Sequence, residues 1–267
     1  MKQFRVLDPN LPARGARGLC ALAVMTKAPQ PGRVKTRLVP PLTPEEAAEL
    51  NKCFLRDTAA AISTACSRRP AGDVQFEHAG ASHIEAARSA CGIAVYTPIG
   101  AESTYTDILP TAFSLLPQRG DKFGERLYFA VEDLFKCGFE SVCLIDSDSP
   151  TVPAENFAEA VELLSTIEDR VVLGPSDDGG YYLIGVKKPY RHLFEQIDWS
   201  TERVLNQTMQ RATEIGTEVK LLPTGYDVDD DASLRRLCSE LLTDTTSADI
   251  APHTREILAS FVVRKKL

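Results

Sequence analysis

No run in the chain approaches the ~18 consecutive apolar residues that a membrane span requires. The first 19 residues, MKQFRVLDPNLPARGARGL, lack the continuous apolar core of a secretory signal. Paired cysteines are missing as well. The seven (Cys20, Cys53, Cys66, Cys91, Cys137, Cys143 and Cys238) are scattered and none forms C-x-x-C, which argues against a disulfide framework or a zinc site. Histidine is scarce: His78, His83, His192 and His253 show no metal-binding spacing. The phosphate-loop pattern G-x-x-x-x-G-K-[ST], the G-x-S-x-G elbow and any Cys/His pair for covalent catalysis are absent. No internal repeat or low-complexity linker interrupts the chain. Together these absences lead to the expectation of a cytoplasmic protein with buried free thiols.

Basic residues are outnumbered, with 30 Lys+Arg against 37 Asp+Glu and a net charge of −7. A polyanion would be repelled by such a chain except at a local patch, so neither nucleic acid nor a membrane surface is an expected partner. One patch stands out. MTKAPQPGRVKTRLVPPL, from Met25 to Leu42, places Lys27, Arg33, Lys35 and Arg37 close together with no intervening acid. Cations, backbone amides freed at Gly32 and a proline-stiffened path suit a small anion, above all a diphosphate. A solvated surface loop is the plainer alternative.

Strand-length apolar runs alternate with segments of helical period, the pattern of a βαβ sheet. Strands are expected at Leu19–Met25, Val74–His78, Ile93–Thr97, within SVCLI, at Val171–Leu173, Tyr181–Val186 and Val219–Leu222. Helices are expected from Thr43-Pro44-Glu45-Glu46 (a capping-box start) to about Ser67, and at Ser82–Ala90, Phe123–Cys137 and Pro153–Thr166. Two more are expected, from a Ser200 cap to about Ile215 and at Leu234–Leu242. Residues 99–120 are poorly patterned. The economical reading is a single doubly wound α/β domain over residues 19–242, with an N-terminal tail at 1–18 and a C-terminal helical extension at 243–267.

In such sheets ligands bind beyond the carboxyl ends of the strands. The basic loop follows the first strand, Asp146-Ser147-Asp148 follows SVCLI, and the acids of DVDDD follow the last strand. Two carboxylates one residue apart repel each other unless a cation intervenes, and a hard ion such as Mg2+ or Mn2+ would serve. Asp227 and Asp229 would add ligands or cap the following helix. Asp177-Asp178-Gly179-Gly180 reads either as a plain turn or as a site whose acids bind hydroxyls and act as base, its glycines admitting a ligand. Trp199, the only tryptophan, would pack in the core or offer a stacking face for substrate.

Read in order, KAPQPGRVKTRL, GDKFGERL, LIDSDSP, VVLGPSDDGGYYLIG, DWSTERVL and DVDDDASL resemble the bacterial DUF2064 family. That family is also described as arsenosugar-biosynthesis-type glycosyltransferases of the nucleotide-diphospho-sugar transferase (GT-A) superfamily. The match runs from about Ala21 to Leu237. It implies a GT-A, Rossmann-like fold, mostly parallel with helices on both faces, that takes a nucleotide-diphosphate sugar and a small-molecule acceptor. On that resemblance Lys27, Arg33, Lys35 and Arg37 hold the diphosphate, and Asp148, with Asp146 and Asp229, holds the metal. Asp177, Asp178, Gly179 and Gly180 lie near the sugar or acceptor. The chain departs from the family where DSDSP stands for G-S-D-C-P, so that Asp146 replaces a glycine. QRGDKFGER stands for Q-G-x-G-D-L-G-x-R, and DVDDD for D-V-D-T-P. The K-T-R-L loop also resembles phospholactate guanylyltransferases, which would use a nucleoside triphosphate. Three functions therefore stand in order: sugar transfer, nucleotidyl transfer, and a non-catalytic nucleotide-binding module.

Overall fold

The computed structural model describes residues 4–11, 15–68, 89–243 and 249–264. The strand expected at Val74–His78 and all but the end of the helix expected at Ser82–Ala90 fall outside these. The elements are β1 Arg5–Val6, β2 Cys20–Lys27, α1 Pro44–Ser67, β3 Ala90–Thr97, β4 Ser114–Pro117, α2 Phe123–Lys136 and β5 Ser141–Ile145. They continue with α3 Ala154–Ser165, β6 Arg170–Pro175, β7 Tyr181–Val186, α4 Val204–Glu214, β8 Glu218–Leu221, α5 Asp231–Thr243 and α6 Pro252–Val263.

Eight strands form one sheet in the order β1-β4-β3-β2-β5-β7-β6-β8, parallel throughout except β7, which runs antiparallel to both neighbours. Alternation along β2 shows why the sheet is covered on both sides. Cys20, Leu22 and Val24 enter a core with α1 and α3, while Ala21 and Ala23 enter a second core with α2 and α4. A third cluster joins Leu38 and Leu42, beyond the basic loop, to α1, α5, α6 and the segment carrying Tyr226 and Val228. No helix among the described residues is long and apolar enough to cross a membrane.

Local sequence accounts for several boundaries. Thr43 caps α1, its hydroxyl accepting from the Glu46 amide at 3.2 Å while Glu46 Oε2 accepts from the Thr43 amide at 3.0 Å. After α2, Gly138 adopts φ 100°, the left-handed end that glycine favours. Three expectations need correction. Residues 99–120 contain β4, a short strand parallel to β3. Ala90, expected to end a helix, opens β3 and pairs with Cys20. Ser200 does not cap α4: it has φ 64°, and α4 begins at Val204 after a turn in which the Thr201 hydroxyl donates to Asp198 O at 2.7 Å.

Candidate active site

Four connections leave the sheet at the same edge, beyond the carboxyl ends of β2, β5, β6 and β8. The basic loop follows β2, Asp146–Asp148 follow β5, and Ser176–Gly180 turn β6 back into β7. The chain after β8 then runs on beside β6, where the Gly225 amide donates to Pro175 O at 2.8 Å and the Asp177 amide to Gly225 O at 3.1 Å. This carries Tyr226–Asp230 to the β5 loop, where the Val228 amide donates to Asp148 O at 2.9 Å.

Two adjoining cavities result. The smaller, about 310 Å³, is lined by Lys27, Arg33, Lys35 and Arg37 together with Asn51, Ser147, Asp148 and Asp229. The larger, about 730 Å³, has eight Asp or Glu side chains and two arginines in its wall, and an apolar side formed by Met25, Phe123, Leu127, Leu144, Ile184 and Trp199. Arg37, Asp148 and Asp229 border both.

Lys35 is the least exposed of the four cations. Its side chain is only 4% exposed, and its ammonium lies 2.8 Å from Asp148 Oδ1, 3.0 Å from Asp229 Oδ1 and 2.7 Å from Val228 O, with the Phe54 ring 5.4 Å away. Burial works against its charge, but Asp148 and Asp229 outweigh it and its proton is held more tightly than usual. Arg37 is 71% exposed and pairs with the other oxygen of Asp229. Lys27 and Arg33 are exposed on the rim.

Asp146 is part-buried at the wall of the larger cavity, accepting from the Ser149 hydroxyl at 2.8 Å and the Asp148 amide at 3.3 Å. Burial, then the Asp148 carboxylate, pushes it up to about 8. Asp227 accepts from the Ser176 hydroxyl at 3.3 Å, and burial with Asp178 and Asp229 nearby raises it to about 6. A folded-state value above the ordinary 3.8 means that the folded protein binds the Asp146 proton more tightly than the unfolded chain. Its stabilising share is therefore complete below about pH 4 and is lost as pH rises toward 8. Asp146→Asn should abolish that loss, worth up to about 6 kcal/mol at roughly 1.4 kcal/mol per unit. Urea unfolding at pH 5 and pH 8 tests this, and the same pH dependence in wild type and variant would refute it.

Asp148 and Asp229 aim oxygens at one point, Val228 O joins them there, and the Lys35 ammonium stands in as the cation. This oxygen set suits Mg2+ or Mn2+, with Mg2+ commonly held by one or two carboxylates plus substrate phosphates. Among the described residues no group of three or more His, Cys, Asp or Glu surrounds a single metal position. Asp146, expected as a third ligand, has its two oxygens engaged by the Asp148 amide and the Ser149 hydroxyl and makes no contact with Lys35.

In the β6–β7 turn, Asp177 pairs with Arg236, whose guanidinium lies 3.7 Å from the centre of the Tyr226 ring. Asp178 Oδ1 accepts from the Gly180 amide at 2.8 Å. Both acids and Gly180 line the larger cavity. Gly179 does not, and its reason for being glycine is not ligand access. It has φ 90°, and a Cβ there would lie 2.3 Å from Glu202 O, so the turn needs a bare backbone to dock before α4. Trp199 is partly buried against the core and reaches the cavity. It packs edge-on to Phe123 with ring centres 5.1 Å apart, presses on Gly124 and forms part of the cavity wall. Arg236, Ser176, Tyr226 and Phe123 were not anticipated as site residues. Arg236 is one of two adjacent arginines on α5, and no spacing distinguishes it from Arg235.

Comparison with known proteins agrees with this architecture. The model of DUF2064, an uncharacterized protein conserved in bacteria, matches residues 81–201. A protein of Desulfovibrio desulfuricans G20, provisionally assigned as a nucleotide-diphospho-sugar transferase, is 26% identical. It superposes with a TM-score of 0.74 over 92% of this chain and 97% of its own. The 4-diphosphocytidyl-2C-methyl-D-erythritol synthase of Anaerococcus prevotii DSM 20548 shares the fold at 12% identity. Its TM-score is 0.50, covering 84% of this chain and 97% of its own. No curated protein matches the chain. The resemblance to DUF2064 read from the motifs is borne out, and the fold is that of the nucleotide-diphospho-sugar transferases.

Proposed function

We propose that the protein transfers a sugar from a nucleoside-diphosphate donor to the hydroxyl of an uncharged small molecule. The observation that carries this reading is the junction of a basic cavity with an acidic one at Arg37, Asp148 and Asp229. Lys27, Arg33 and Arg37 would hold the donor diphosphate, leaving its sugar at the boundary of the larger cavity. Carboxylates there suit sugar and acceptor hydroxyls as hydrogen-bond acceptors, and Trp199 offers a ring face to a pyranose.

In the reaction the acceptor oxygen bonds to the anomeric carbon, the bond from that carbon to the diphosphate oxygen breaks, and the hydroxyl proton must be taken up. Asp178 suits that last role better than Asp177, whose Oδ2 is engaged by Arg236. Among the described residues Asp178 Oδ2 has no hydrogen-bond partner, so it is the atom assigned the proton. Arg37 and Arg33 would stabilise charge growing on the departing diphosphate. A divalent ion held by Asp148 and Asp229 would supply further positive charge at that oxygen.

Nucleotidyl transfer would instead bring a phosphorylated co-substrate into the larger cavity, where eight acids face two arginines. That imbalance favours a neutral acceptor. Thermal shift with UDP, GDP, ADP, CDP and TDP, their sugars and the triphosphates, with and without Mn2+, identifies the donor, because a native-state ligand raises Tm by mass action. Incubation of that donor with neutral and phosphorylated acceptors, read by mass spectrometry, follows. A glycosylated neutral product is expected. Pyrophosphate released from a triphosphate only with a phosphorylated co-substrate would overturn the proposal in favour of nucleotidyl transfer.

A further inference from the structure

Lys35 sits apart from the other cations of its loop. An ammonium has three N–H donors, and here each has a protein acceptor: Asp148 Oδ1 at 2.8 Å, Asp229 Oδ1 at 3.0 Å and Val228 O at 2.7 Å. The residue itself adopts the left-handed region, φ 47° and ψ 38°. Lys35 thus fills the position on which the Asp148 and Asp229 oxygens converge, while also bordering the basic cavity. A divalent ion bound by the same two oxygens would stand in contact with this ammonium, and mutual repulsion forbids the two from sharing the place.

We propose that Lys35 and a divalent metal ion are alternative occupants of the Asp148–Asp229 position, exchanged when a diphosphate enters the basic cavity. Without ligand, Lys35 neutralises the two acids and keeps the metal out. An entering diphosphate gives the ammonium new oxygens within the cavity that it already borders. As Lys35 turns to them, the carboxylates become available and the metal binds them together with the phosphates. Metal and diphosphate therefore each tighten the binding of the other, by the same factor in both directions. The exchange rests on the reading that a diphosphate occupies the smaller cavity. It differs from a fixed structural ion pair, in which Lys35 would stay in place whatever bound nearby.

Mn2+ binding, followed by the loss of its free electron-paramagnetic-resonance signal, tests the exchange. Wild type, Lys35→Met and the double variant Lys35→Met/Asp148→Asn are titrated with Mn2+ alone. Wild type and Lys35→Met are then titrated in saturating inorganic pyrophosphate, with free Mn2+ corrected for chelation. Lys35→Met should bind one Mn2+ at least tenfold more tightly than wild type, and the double variant should lose that site. Pyrophosphate should tighten Mn2+ binding to wild type by a larger factor than in Lys35→Met, where the phosphate oxygens add ligands but no ammonium has to be displaced. Equal affinity of wild type and Lys35→Met for Mn2+ alone would overturn the proposal, as would pyrophosphate leaving the wild-type affinity unchanged. The second comparison uses only wild type, so its failure overturns the proposal even if the variant folds poorly. Absence of sugar transfer with every donor would instead remove the proposed reaction and leave these binding results standing.

Discussion

Asp148→Asn is expected to lower sugar transfer by about 10²–10³-fold, the usual scale for removing one electrostatic stabiliser of a departing oxyanion. The amide keeps the volume of the carboxylate and one acceptor oxygen, and the Asp148 carbonyl that accepts from the Val228 amide at 2.9 Å is untouched. Lys35 also keeps Asp229 at 3.0 Å. Stability should therefore change by no more than about 1 kcal/mol, within the range for replacing a polar group whose partner remains satisfied elsewhere. The informative result is the combination. Activity falls with the Tm nearly unchanged, and added Mn2+ no longer shifts the Tm in the presence of donor. If Asp148→Asn retains full activity, Asp148 is not part of the reaction centre. If both activity and Tm collapse, its role is to hold the segments together.

Gly179→Ala should be among the most destabilising single substitutions in the protein, costing about 3 kcal/mol or more. Two causes add there. Its φ of 90° is one that an L side chain rarely adopts, and the new Cβ would lie 2.3 Å from Glu202 O and 2.6 Å from Glu202 Cα. Both obstacles are backbone, so no rotamer change relieves them. The docked strand-to-helix contact would be lost as well, including the Leu205 amide donating to Gly179 O at 2.9 Å. Gly216→Ala separates the two causes, because it shares the positive φ, 69°, but has nothing within 4 Å of a Cβ. It should cost only about 1 kcal/mol, the scale of the backbone term alone. Urea unfolding of both variants measures the difference. Similar losses would mean that the turn can yield around Glu202.

The legible parts of the fold share a physical trait: their signals are local. β2 and β5 are continuous apolar runs because both faces of the sheet are covered. α1 announces itself by a cap whose partners are three residues apart, and α2 ends at a glycine that can turn left-handed. β1 escaped notice because two residues leave no pattern to read, and β4 because it lies in a stretch interrupted by Pro110 and ends on Pro117. Position along the chain also revealed which segments gather at the carboxyl edge, but not how they pair there. Lys35 was read as a phosphate ligand from its neighbours in sequence, whereas its acceptors are more than a hundred residues away. Gly179 was read as room for a ligand, and the occupant is the chain's own backbone.

The third apolar cluster gives the site an unusual dependence on order of synthesis. Leu38 and Leu42 follow the basic loop and Val228 precedes Asp229, yet they share a foundation with Leu258 and Phe261 of α6. That helix is tied to α1 by Asp57, which accepts from the His253 amide at 3.1 Å and the Thr254 amide at 2.8 Å. A ribosome therefore delivers the cationic half of the cleft about two hundred residues before the helix that braces it. Until α6 docks, the basic loop and the acids facing it lack their common floor, so a nascent chain would hold the sheet before it could close the cleft.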